Sequence, residues 1–283
     1  MLANIKQVVD SELEGRRYQG TFRKTLPTFA GVWSDFCSAP GFPAPKYWFD
    51  ATPGIAQVVT QSDDGGLPHG PNVSPLKKYL RGITVRTDGT ALVPTCVHIC
   101  DYLLYYPSID EGTTDTQPLD NTLTLPRYAD GAGVQMLAVS VAARSGGQEF
   151  FVTYTNQDGV SGRTSQIVRQ NAVTTTGNIV TSAQATVNSA NPFIGLQSGD
   201  TGVRSVESVT MLGTDVGLFS LLLVKPLAQF SMQEAGIFVE KDFLMHELST
   251  PQIYDDAFLG LLVLSTGSAA NATIYGYIKC IYN

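Results

Sequence analysis

Charge is what this chain has least of. Asp, Glu, Lys and Arg make up 15% of its 283 residues, against about 25% in a typical soluble domain. The apolar fraction is an ordinary 43%, so Thr, Ser, Gln, Asn and Gly fill the missing places. Intrinsic disorder is excluded, because disordered chains are rich in charge and poor in aromatics, and this one has 12 Tyr, 13 Phe and 2 Trp. The net charge of −7 supplies no excess of cations to neutralise phosphates, so direct nucleic-acid binding is not expected. Long apolar runs are missing too. The longest, Val216–Val224 and Ala257–Leu264, fall well short of the ~20 residues that span a bilayer as helix. The N-terminus has no continuous apolar stretch of the kind an export signal needs. No membrane association is expected, and the four cysteines (Cys37, Cys96, Cys100, Cys280) are expected as free thiols in a reducing compartment.

What is present reads as β structure. Leu2, Ile5, Val8, Val9 and Leu13 repeat at helical spacing, and Gly15 suits the end of a short N-terminal helix. From Thr21 to Pro75 the chain carries eight of its 15 prolines, interleaved with Phe22, Phe29, Trp33, Phe36, Phe42, Tyr47, Trp48 and Phe49. Proline disfavours helix and interior strand, so this stretch is expected as an extended arm that needs a surface to lie on. Beyond it, ten or eleven short strands alternate with Gly- and Asx-bearing turns, from Leu80–Thr87 to Phe258–Ser265 and Thr273–Tyr282. Helix is expected only at Phe230–Ala235 and Lys241–Glu247. The expected fold is all-β: an antiparallel, jelly-roll-like sandwich. Residues 1–54 form the helix and extended arm, and residues 55–283 the sandwich, with a long loop insertion near 107–133.

The motifs that could carry chemistry all have plain structural readings. In Cys96-Val-His98-Ile-Cys100 a strand puts the three polar side chains on one face, with the cysteines ~13 Å apart. One zinc cannot bridge that span, so they read as core residues with one hydrogen-bonded histidine. His69 sits in a turn-rich loop near Asp63-Asp64, but the chain has no nucleophile elbow, paired-histidine zinc motif or phosphate-binding glycine loop. The acidic pairs Asp63-Asp64, Asp110-Glu111 and Asp255-Asp256 are neighbours in sequence, whereas working pairs usually converge from separate elements. No catalytic residue, cofactor or metal is expected.

Two stretches carry a resemblance. Gly31-Val-Trp-Ser-Asp-Phe36 continuing through Pro40-Gly-Phe-Pro-Ala-Pro45 to Tyr47, and His69-Gly-Pro-Asn-Val-Ser-Pro75 followed by Lys78-Tyr-Leu80, resemble a group of tailed-bacteriophage virion structural proteins. The resemblance covers roughly residues 1–110 by motif and the rest by β-rich character. It implies a non-enzymatic virion component, either a decoration or cement protein or a shell subunit of the capsid. The implied partners are other virion proteins, the major capsid protein or further copies of this chain in a homo-oligomer. The residues themselves point to assembly as well, and buried apolar anchors dominate interface energetics. Leu2, Ile5, Trp33, Phe36, Tyr47 and Trp48 are the expected interface anchors. An alternative is a carbohydrate- or receptor-binding module of a fibre or tail, with Tyr105, Tyr106, Tyr128 and Tyr254 stacking on sugars.

Overall fold

A computed structural model of the chain describes residues 5–173, 175–180, 191–246 and 250–283. Strands dominate it. Those of four or more residues are β1 (Arg17–Thr28), β2 (Val32–Asp35), β3 (Lys78–Asp88), β4 (Thr95–Asp110), β5 (Gln135–Ser140), β6 (Glu149–Asn156), β7 (Val203–Met211), β8 (Leu218–Met232), β9 (Val239–Asp242), β10 (Phe258–Ser265) and β11 (Ala269–Tyr282). Among the described residues, helix is confined to α1 (Ile5–Leu13), α2 (Phe243–His246) and a single 3-10 turn at Thr90–Leu92. The strand ladders pair antiparallel throughout.

The architecture is an all-β sandwich built on one long sheet, ordered β2-β10-β4-β8-β5. Its two long strands, β4 and β8, pair along nearly their whole length. A second sheet, β9-β3-β11-β1, covers one end of one face. There Phe22, Leu80, Ile83, Ile274 and Ile278 pack on Val97, Ile99, Leu261 and Phe230. A third sheet, containing β6 and β7, covers the other end of that face. Phe150, Val152, Val206 and Val209 pack there on Leu103, Tyr106, Phe219 and Leu221. Register shifts between β4 and β8, at Leu223/Val224 and Pro226/Ala228, insert extra residues that keep the apolar set on one side along the strands. The opposite face of the long sheet is covered by irregular chain, with Trp33, Cys37, Trp48, Val59 and Ile179 on Tyr102, Leu222, Phe258 and Leu262.

Local sequence explains which strands go where. Glu149–Asn156 alternates half-buried and buried residues, the signature of a sheet covered on one side. The unbroken apolar run of Phe258–Ser265 is buried at nearly every position, because β10 is covered on both. Gly260 lies within that run. A Cβ there would collide with Cys37 Sγ and the Tyr102 ring.

Several expectations are corrected. Arg17–Thr28 is not an arm: it is a 12-residue strand paired with β11 along its length, and Val32–Asp35 pairs with β10. The only proline inside β1, Pro27, falls at the irregularity between Leu26 and Thr28, where proline is tolerated. The first residues of Phe230–Ala235, expected as helix, end strand β8, which runs to Met232. Lys241–Glu247 is strand to Asp242 and helix at Phe243–His246, with residue 247 outside the described residues. The 107–133 segment is strand to Asp110 and then irregular, with a short strand at Gln117–Pro118 against β7; Leu119, Leu125 and Arg127 on it are buried.

Substituting Gly260→Ala should lower stability by about 1–3 kcal/mol through overpacking, read as a drop in denaturation midpoint with the slope unchanged.

Candidate functional site

The aromatic anchors meet first at Asp35. This fully buried carboxylate accepts bonds from the Trp48 indole N–H, the Tyr102 hydroxyl (2.9 Å), the Ser38 hydroxyl (2.7 Å) and the Cys37 backbone N–H (3.1 Å). Trp48 stacks on Tyr102 at 5.3 Å between centroids, with Phe258 edge-on to both. A buried indole or phenol needs a partner for its polar atom, and Asp35 supplies one for each. Trp33, Phe36 and Trp48 are therefore core residues of this chain, with 3%, 2% and 1% exposure. Their surface is covered by their own chain and is not available as an anchor. Tyr47 and Ile5 are exposed, and Leu2 lies outside the described residues.

Exposed apolar side chains line one side of α1. Val8 is buried against Tyr79 and Ile281 on the outer face of the second sheet. Ile5, Val9 and Leu13, one turn apart, point away from it and are 68%, 49% and 80% exposed. They form an apolar stripe at i, i+4 and i+8. Beside it Lys6 pairs with Asp10 at 2.7 Å and Arg17 with Glu12 at 3.1 Å, so the stripe is flanked by neutralised charge.

The adjacent acids diverge to separate partners. Asp256 bonds Arg127, whereas Asp255 reaches Lys78 (3.3 Å) and the backbone N–H groups of Val73 and Ser74. Glu111 pairs with Arg144 at 3.0 Å with both side chains fully buried, while Asp110 accepts the Gly112 N–H. Asp63 pairs with Lys46. Arg127 has the densest set of bonds. Its guanidinium is bidentate to Asp101 (2.9 and 2.8 Å) and also donates to the Val59 and Tyr102 carbonyls and to Asp256. Burial pushes the Asp101 carboxyl up to about 6 against the opposing pull of Arg127.

His69 is fully buried beside this network. Its Nε2 faces the Ala257 carbonyl at 2.7 Å, and its Nδ1 faces the Lys78 ammonium at 3.2 Å. A carbonyl only accepts and an ammonium only donates, so the ring is neutral with its proton on Nε2. Burial, helped by the Lys78 charge, lowers its pKa to about 4. The loop histidine is thus a positioned structural group.

Arg127 precedes Tyr128, whose φ of 54° is left-handed, an uncommon conformation for a bulky residue. The Tyr128 ring meets Tyr254 edge-on at 5.2 Å. The two form a wall of an open groove of about 770 Å³, lined also by His98, Phe193, Lys225, Gln229, Pro251 and Gln252. The four tyrosines expected to stack on sugars thus separate: Tyr128 and Tyr254 come together here, while Tyr105 and Tyr106 are buried. His98 is half-buried, touches Trp33 and Phe193, and makes no hydrogen bond among the described residues, contrary to the expected satisfied core histidine. Cys96 is exposed and Cys100 buried along the same strand. Phe193, Gln229 and Gln252 carry no sequence signal, since they join the groove from distant segments.

No family model matches the chain, and no curated protein matches it. Among solved structures it aligns with the VP2 subviral particle of infectious bursal disease virus at 12% identity, over 94% of this chain and 81% of that one, with a TM-score of 0.17. A second structure of that virus, of the Gt strain, aligns at 10% identity over the same shares, again at 0.17. T=1 particles derived from the virus align at 12% identity over 94% and 78%, also at 0.17. At such a TM-score the likeness has no bearing on function. None of the three is a tailed-bacteriophage protein.

His69 has a pKa below its unfolded value of about 6.5, so the stability it contributes is complete above that value and is lost as pH falls toward 4. Between pH 7 and pH 4 the wild type should lose about 3 kcal/mol more than His69→Gln, measured by urea unfolding at each pH. Arg127→Met strands the Asp101 charge and should cost about 3–5 kcal/mol. The Arg127→Met/Asp101→Leu double variant should recover much of that loss in the same assay.

Proposed function

We propose that this chain is a non-enzymatic structural subunit of a virion, most specifically a capsid-associated decoration, cement or shell protein of a bacteriophage, held in place by contacts between subunits. The observation that carries this reading is the exposed stripe of Ile5, Val9 and Leu13 on α1. An amphipathic helix normally buries its apolar stripe, and here the side of α1 that is buried holds Val8 and Ser11. Three large apolar side chains in a row then gain about 1.5–3 kcal/mol each on full burial against a partner.

Two further features support it. A surface poor in charge loses little when desolvated against another protein. The internal acids Asp101 and Glu111 are committed to structural partners, Arg127 and Arg144, which leaves them no part in a reaction under this reading. The expected anchor set changes accordingly: Ile5 stays, Val9 and Leu13 join it, and Tyr47 with its exposed neighbour Phe49 forms a second apolar site.

The triple variant Ile5→Asp/Val9→Asp/Leu13→Asp should keep the wild-type melting temperature within a few degrees, because these residues touch little of the core. It should enter purified particles at least tenfold less than the wild type, read by quantitative mass spectrometry of particle protein. Incorporation at the wild-type copy number would refute the role of the stripe. A wild-type chain absent from particles would refute the virion reading itself.

A further inference from the structure

We propose that the groove walled by Tyr128 and Tyr254 is a glycan-binding site, in which a hexose ring stacks on Tyr254 and its hydroxyls are read by Gln229, Gln252 and His98. Three properties of the groove carry this. First, its walls are aromatic: Tyr254 is exposed, Tyr128 stands edge-on to it at 5.2 Å, and Phe193 and the His98 ring meet opposite at 5.6 Å. Sugar rings present C–H faces that pack on aromatic rings much as apolar groups do.

Second, the polar groups have no internal partner. The amides of Gln229 and Gln252, the imidazole of His98 and the Tyr254 hydroxyl make no hydrogen bond among the described residues, although all line the groove. Amides and imidazole each offer a donor and an acceptor, which matches vicinal hydroxyls that do the same. Third, among the described residues the lining has no carboxylate and one cation, Lys225. Lys225 donates to the Ala132 carbonyl at 2.6 Å and lies 5.5 Å from the centre of the Tyr128 ring. A lone, tethered ammonium suits a neutral or acidic sugar and is too little for a polyphosphate.

An extended peptide is the competing occupant, because β5 covers β8 only as far as Val224 and the edge beyond it has no ladder partner on that side among the described residues. The edge is poorly made for strand addition. Pro226 has no N–H to donate, and the register breaks between Pro226 and Ala228. Both tyrosines also adjoin residues fixed by ion pairs. The Arg127 guanidinium, fixed by Asp101, precedes Tyr128. Asp255 and Asp256, fixed by Lys78 and Arg127, come directly after Tyr254. A preorganised site lowers the entropic cost of binding.

The test uses the full chain on an array of immobilised oligosaccharides that includes maltotriose, tri-N-acetylglucosamine and 3′-sialyllactose. The strongest binder is then titrated by calorimetry against wild type, Tyr254→Ala and Gln252→Ala, each with an unchanged melting temperature. The expected result is binding by at least one oligosaccharide that weakens tenfold or more in Tyr254→Ala and several-fold in Gln252→Ala. Three results would overturn the proposal: no oligosaccharide bound, affinity unaltered in both variants, or binding of an alternating Thr-Val octapeptide in place of every sugar. None of them touches the α1 stripe, so the two readings fail separately.

Discussion

The guanidinium of Arg127 is the point on which the tertiary structure turns. It stands where the two apolar cores on one face of the long sheet meet, and it ties four separate segments together: β4 through Asp101 and the Tyr102 carbonyl, the strand-poor segment at Val59, the turn at Asp256, and its own loop. Asp101 in turn accepts the backbone N–H of Phe258, at the start of β10. A charge this deep is tolerated only because it is paired and its donors are satisfied. Leaving any of these groups unpaired is costly, and slipping β10 by one residue would remove the Phe258 N–H from Asp101.

Asp35 plays the same part on the opposite face with neutral donors. By taking the indole N–H of Trp48 and the hydroxyl of Tyr102 it allows Trp48 of the proline-rich segment and Tyr102 of β4 to be buried in full. The irregular segment then becomes a cover for the long sheet. Buried polar atoms, more than apolar area, decide which aromatics remain for contacts with other molecules. Trp48 is turned inward, while its neighbours Tyr47 and Phe49 are exposed.

Most strands are legible in the sequence because burial imposes a period. Phe258–Ser265 shows both its ends in an unbroken apolar run, and Glu149–Asn156 shows itself by alternation. Arg17–Thr28 is not legible, since its alternation of Thr, Lys, Arg and Gln with Phe22 and Leu26 is weak and Pro27 sits near its end. Its strand state is imposed by β11, some 250 residues away in the chain. The candidate sites are legible only in fragments. Residue type alone marks Ile5, Tyr128 and Tyr254, but neither the outward stripe nor the groove is a local property.

Low charge is the most conspicuous property of this chain, and the sequence alone determined its consequence: an ordered, β-rich chain with few ions to solvate. Composition and periodicity act on each residue where it stands, so they can be read in one dimension. Only the tertiary structure decided where the few charges went. Arg127, Asp101, Lys78, Arg144 and Glu111 lie inside, where pairing across tens or hundreds of residues offsets their desolvation. Most of the remaining charged residues stay at the surface, where apolar side chains at α1 and aromatic ones at the groove stand among them.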